Sequence, residues 1–494
     1  MNWKLPPCGR LDRRNFLVDC GMGFAGLVIG AMLHKDGIAK ASTTEGAWRP
    51  PDGKPHHPPK AKSVIWLFMQ GGTSHLESFD PKPELNKYAG KTIGETPHRG
   101  VLENPLTNKN VREFVPEARK LMLNILPLQV GYRKYGQLGI EMADWWPDLG
   151  KVVDELAFIR SVWTTDNDHG AQYQFHSGRH IFDGSFPTIG AWVHYGLGSL
   201  NENLPQFVVL GEQVGSCCGG AMASGASYLG PAHAGVELSL DPENPLPFAA
   251  PSGEVYREEQ RKQFEFIGKL DQLAAVRYPD DPAMAARIKS YELAFRMQTA
   301  IPEVFRFQEE KEHIRKLYGL DHDVTRTFGE RCLAARRLVE RGVRFVQVYH
   351  GGGNGGEWDA HAELQKNHSR LSAQVDQPIA GLIMDLKQRG LLDETIVVWG
   401  TEFGRTPGVE GSKGGRDHHP FGFSVWMAGG GLKRGVIHGA TDELGFHAVE
   451  DRHYVTDIHA TVLHQLGLDP RRLDVPGQQR LEIDYGQPIK EIMA

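Results

Sequence analysis

The run Ser63–Gln70 (SVIWLFMQ) constrains the fold more than any other segment. It is β-prone and apolar without alternation, so neither face of the strand can meet water. Strands of that kind belong to the centre of a parallel sheet covered on both sides. The run stops at Gly71-Gly72. Similar runs recur at Leu156–Val162, Val343–Tyr349 and Thr395–Gly400, with shorter ones at Phe207–Leu210 and Ser424–Met427. Helical patterns separate them, at Asp144–Val153, Ala171–Ser177, Ile189–Leu197 and Tyr454–Leu466, and in several pieces across 253–340. Leu371, Val375, Ile379, Leu382, Ile383 and Leu386 mark one face of a long helix, bent by Pro378 and capped by Gly390. Strands alternating with helices predict an α/β fold: a three-layer α/β/α sandwich around a mainly parallel sheet.

The N-terminus reads as an address. Arg13-Arg14-Asn15-Phe16-Leu17 is a twin-arginine motif, followed by an apolar stretch Cys20–Leu33 and the small-x-small site Ala39-Lys40-Ala41. That stretch holds about 14 residues, short of the ~20 that span a bilayer. The expected organisation is a signal at 1–41 and a Pro-rich tether at 42–62. One α/β domain follows at 63–494, with helical insertions near 83–140 and 253–340. The expected partner at this end is the twin-arginine export machinery. The mature protein would be periplasmic or secreted, with no stable membrane span. A net charge of −6 without a long basic run argues against nucleic acid. Cys8 and Cys20 leave with the signal, and Cys217, Cys218 and Cys332 do not space as a disulfide framework or zinc ribbon.

Polar groups gather where the strands end. His75 and Glu77 follow the first, Asp168 and His169 the second, Asp359 and His361 the third. Glu402 follows the fourth, with Asp417, His418 and His419 just downstream. In open α/β sheets ligands bind at the C-terminal ends of strands. Carboxylates and imidazoles converging there suit one or two divalent cations, Zn, Mn, Ca or Mg. The expected metal ligands are therefore His75, Glu77, Asp359, His361, Glu402, Asp417, His418 and His419. Arg405 reads either as a binder of an anionic substrate group or as the ion-pair partner of a carboxylate. His176, His447, His453 and His464 read as surface or helix-packing residues.

The stretches GGTSHLESFDPKP, RSVWTTDNDHGAQYQFHSGRH, WDAH, TEFGRTP, GRDHHPFGFSVWMAGGGLKRG and DIHATVLHQLGLD resemble the domain of unknown function 1501 family. That family is common in planctomycetes and often exported by the twin-arginine route. The resemblance covers nearly all of the mature chain. It implies an alkaline phosphatase-like fold, shared with sulfatases and phosphodiesterases, and a two-metal site for phosphate or sulfate esters. Glu402 falls on the Asp of that superfamily's Asp-His metal pair and Phe403 on its His. Asp359 and His361 resemble its D-x-x-x-H pair at shorter spacing, and its last ligand His falls at His418 or His419. Sulfatases place a Cys or Ser nucleophile ten residues before an Arg that matches Arg179. Here that position is His169, beside Asp168. The expectation is a metal-dependent hydrolase of an anionic ester or sulfated polysaccharide, without a Cys, Ser or Thr nucleophile. Water activated by the metal would attack, with His169 as general base or further ligand. The alternative is a non-catalytic extracytoplasmic protein that binds glycans or a partner.

Overall fold

Nine strands build the main sheet, numbered in chain order: β1 (Ser63–Met69), β2 (Leu156–Trp163), β3 (Phe207–Leu210), β4 (Val236–Leu238), β5 (Phe345–His350), β6 (Thr395–Gly400), β7 (Phe423–Ala428), β8 (Val436–His438) and β9 (His453–Tyr454). They belong to a computed structural model that describes residues 51–103, 122–213, 215–241 and 301–494, with positions 245, 262, 266 and 269. The order across the sheet is β8-β2-β7-β6-β1-β5-β3-β4, and β9 also pairs with β2. β1 lies between β5 and β6, with Met69 opposite His350 and Phe68 opposite Gly400. Every pairing is parallel except those of β7, which runs against both β2 and β6.

Two hydrophobic cores cover the two faces, because successive side chains of a strand point to opposite sides. Ile65, Leu67 and Met69 of β1 pack with Phe328 and Leu338 of α3 (Asp323–Glu340) and Leu371 and Ile379 of α4 (Leu364–Gln388). Val64, Trp66 and Phe68 face the other way. They pack with Phe175 of α1 (Ala171–Ser177), Val193 of α2 (Ile189–Leu197), and Ile458 and Val462 of α5 (Val455–Gln465). Burying each side chain of this size contributes about 1.5–3 kcal/mol, so both layers hold the sheet. The three-layer α/β/α architecture expected of an alkaline phosphatase-like chain is the one observed.

One expectation changes. Asp144–Val153 is not a helix: strand Ile140–Ala143 closes a hairpin with Tyr132–Tyr135, and two 3₁₀ turns follow at Leu149–Lys151 and Val153–Glu155. Pro147 removes a backbone donor and steers Trp146 away from helical geometry. α4 runs unbroken through Pro378, and Gly390 closes it in the left-handed region (φ +71°). The tether is held down over its last residues. His56 N–H donates to Gly467 O (2.7 Å), and those of Lys60 and Ala61 donate to Gln465 O (2.8 and 2.9 Å). The expected signal (1–41), the first residues of the expected tether (42–50), residues 104–121 and most of 253–300 lie outside the described residues. The rest of the second insertion is helical, at Pro302–Phe305, Glu312–Leu317 and α3. Among the described residues no helix is long and apolar enough to cross a membrane.

Candidate metal centre

The direction of β7 explains how distant residues meet. Loops leaving β1, β2, β5 and β6 open on one sheet edge. Because β7 is reversed, the residues before it arrive at that same edge. Asp168-His169, Asp359–His361, Glu402 and Asp417-His418 therefore converge. Three overlapping groups have ligand atoms within 4.8 Å of one another: Asp168, His169, His418; Asp359, His361, His418; and His361, Glu410, Asp417.

The middle group is the tightest. Asp359 Oδ1 lies 3.0 Å from His361 Nε2 and 3.0 Å from His418 Nε2, and the two Nε2 atoms lie 3.0 Å apart. The outward nitrogens fix the tautomers. His418 Nδ1 lies 2.9 Å from Asn167 O, a group that only accepts, so Nδ1 carries the hydrogen. His361 Nδ1 contacts the Glu410 carboxylate and donates for the same reason. When neutral, each imidazole turns an Nε2 lone pair inward, the form that binds a metal. In the metal-free protein a proton on His361 Nε2 can bridge to Asp359 Oδ1, and a metal ion would take that proton's place. Ligands ~2.1 Å from a common ion and at right angles to it would be about 3.0 Å apart. The donor set fits a divalent transition metal.

Asp359 is the electrostatic hub. Burial alone would raise its carboxyl. The Arg405 guanidinium, 2.8 Å from Oδ1, and the imidazoles of His169, His361 and His418 outweigh that and hold it far below the usual carboxylate range. His169 lies between two carboxylates, 3.2 Å from Asp359 Oδ2 and 3.2 Å from Glu402 Oε1. Burial would lower its imidazole, but Asp359 and Glu402 together raise it to about 9. In the metal-free protein this favours the cationic form. His361 is raised as well: burial opposes, and its contact with Asp359 prevails.

Several expected ligands lie elsewhere. Glu402 is fully buried and receives Gly71 N–H on both oxygens (2.9 and 3.2 Å); it meets the cluster through His169. Glu77 is fully buried against Arg416, with Nη2 2.7 Å from Oε1. His75 Nε2 faces Gly445 O at 2.9 Å. His419 contacts Phe446 O, away from His418, because neighbours in the short strand His418–His419 point to opposite sides. Burial drives its imidazole down to about 3. Arg405 is fully buried. It donates to Gly72 O (2.7 Å), Gly71 O and Arg416 O (3.0 Å) besides pairing with Asp359. The sequence reading passed over Glu410, whose signal was its place in the Gly-rich loop between Arg405 and Asp417. Phe403, at the position of the superfamily's second His, packs its ring 4.3 Å from that of His418.

Residues 61–493 match the family model described as "Protein of unknown function (DUF1501)". The chain belongs to this family. No curated protein matches the DUF1501 chain in sequence. Among solved structures it is similar to the PsFucS1 sulfatase from Pseudoalteromonas sp., at 12% identity and TM-score 0.35, covering 95% of this chain and 75% of that one. It is also similar to the lipoteichoic acid synthase LtaP from Listeria monocytogenes (8%, TM-score 0.32, 89% and 80% covered). A third is the C-terminal periplasmic domain of EcEptC from Escherichia coli, in complex with Zn (10%, TM-score 0.34, 91% and 96% covered). Scores this low say nothing of activity, and the architecture rests on the strand order above.

Proposed function

We propose that this DUF1501 chain is an exported, metal-dependent hydrolase of sulfate or phosphate esters, with a sulfated polysaccharide as one substrate class. The observation that carries the reading is the inward-facing triangle of Asp359 Oδ1, His361 Nε2 and His418 Nε2, each 3.0 Å from the others. A divalent cation held there would act as a Lewis acid toward an ester oxygen. Two imidazoles favour Zn over Mn, Ca or Mg. Asp168, Glu410 and Asp417 border the triangle and give the strip its acidic flank. His169 lies at the same edge, between Asp359 and Glu402, as general base or further ligand. Thr164 Oγ1 donates to Gln174 Oε1 (2.6 Å), and Thr165 Oγ1 accepts from Gln174 Nε2 (2.8 Å), so both are held by the same side chain. The reading takes water as the nucleophile. Export rests on the Arg13-Arg14 motif.

The test is metal content and turnover of aryl sulfates and phosphates by gently purified protein. Wild type should carry stoichiometric metal and turn over at least one ester class. His418→Ala and Asp359→Asn should lose both. Only trace metal in the wild type refutes the reading. His169 stands at the position where sulfatases place their nucleophile, which favours a second reading, a non-catalytic extracytoplasmic protein that binds glycans or a partner. It would lead if metal is present, no ester is cleaved, and a sulfated glycan is retained.

A further inference from the structure

A second histidine pair lies at the far edge of the sheet, outside the strip described above. His438 ends β8 and His453 opens β9, with 14 residues between them in sequence. Both strands pair with β2, His438 opposite Ile159 and His453 opposite Val162. Ile159 and Val162 belong to the core on the α5 side, so register sends both imidazoles to that face. Their Nε2 atoms lie 2.9 Å apart. His453 Nδ1 lies 3.0 Å from the Asp457 carboxylate in the first turn of α5. That carboxylate only accepts, so in neutral His453 the Nε2 lone pair faces His438. The pair opens on a cavity of about 610 Å³ that Asp451 and Glu491 also line.

We infer that His438 and His453 form a second metal site for a divalent transition metal of the imidazole-preferring class, such as Zn²⁺, Ni²⁺ or Cu²⁺. Two nitrogens 2.9 Å apart match right-angle positions about 2.0–2.1 Å from one ion, as in square-planar or octahedral coordination, and tetrahedral zinc would need the rings to part by about 0.4 Å. A carboxylate behind a ligating imidazole fixes its tautomer and raises its basicity, and Asp457 stands in that place. The open side faces the cavity, where water from solvent would fill the remaining positions. The competing arrangement is a simple hydrogen bond, with His438 Nε2–H donating to His453. The inference does not depend on the proposed hydrolase.

Calorimetric titration of the chelator-stripped full chain with Zn²⁺ separates the two. Wild type should show a binding class that His438→Gln and His453→Gln both remove and that His418→Ala leaves in place. Asp457→Asn should weaken that class by about 10–100-fold. Isotherms of His438→Gln and His453→Gln that superimpose on wild type overturn the inference. Should either variant fail to fold, carbethoxylation of His438 and His453 in the wild type, mapped by mass spectrometry, replaces it. Zn²⁺ should slow modification of both rings, and rates unchanged by Zn²⁺ overturn the site. Loss of the His418-dependent class alone would count against the hydrolase and leave this site standing.

Discussion

Arg416→Met tests whether Glu77 belongs to the metal or to the scaffold beneath it. Both side chains are fully buried. Arg416 Nη2 lies 2.7 Å from Glu77 Oε1 and Nε lies 3.1 Å from Oε2. Its remaining donors reach Thr406 O (3.1 Å), Pro407 O (2.8 Å), Leu126 O (3.1 Å) and Pro127 O (3.2 Å). Methionine fills the stem's volume but leaves Glu77 as a buried charge held only by Ser74 Oγ and Gln129 N–H. Breaking a buried pair from one side costs about 3–5 kcal/mol. Guanidinium unfolding followed by tryptophan fluorescence should show a loss of that size in metal-free protein. Replacing both partners, Glu77→Leu with Arg416→Met, should recover part of it, because the stranded charge is gone while the four carbonyls still lack their donor. Metal content of Arg416→Met should fall too, since Asp417 and His418 follow the lost anchor directly. A single-variant loss below about 1 kcal/mol refutes the account. So does a Glu77→Gln variant that keeps its stability and loses metal, because Glu77 would then be a ligand.

Metal-free protein should lose stability as pH rises from about 6.5 through about 9, since His169 is raised on folding and its contribution is fully present only below its unfolded value. The total is on the order of 3 kcal/mol, His361 adds in the same direction, and His169→Gln should flatten the profile in chelator-treated unfolding curves. Gly71→Ala should cost roughly 2–4 kcal/mol in thermal unfolding, because φ is +115° and a Cβ would come within 2.5 Å of Asp359 N. A melting temperature equal to wild type would contradict that contact. Changing Arg13 and Arg14 together to Lys should hold the protein in the cytoplasm with its N-terminus uncut, and normal export in a fractionation assay would sink the signal reading.

Where burial alone decides the local structure, the sequence is explicit. Thr395–Gly400 and Phe207–Leu210 are apolar throughout and were legible to the residue, as were α1 and α2. Asp144–Val153 misled because Trp145 and Trp146 mimic a helix face while Pro147 decides the backbone. The candidate site was legible as a set of strand ends, since parallel strands share an edge. Its membership was not. His418 and His419 are chemically identical neighbours, and only the pleat of a two-residue strand separates the inward ring from the outward one. Glu77 looked like a ligand because its partner Arg416 lies more than three hundred residues away. Glu410 stood alone among glycines, with no local sign that His361 would lean on it. Side-chain direction and long-range pairing are set by tertiary register, which one sequence does not display.

The fastening of residues 56–61 to the end of α5 sets which way the protein presents itself. β1 begins two residues later, so the chain enters at the edge where parallel strands start, and the metal strip lies one strand length away, roughly 20 Å. A resin, carrier or surface gripping residue 51 leans on the blunt end. Asp359, His361 and His418 then lie at the sheet end turned away from the support. Anchoring through an engineered loop beside Gly411–Gly415 would instead turn that end toward it.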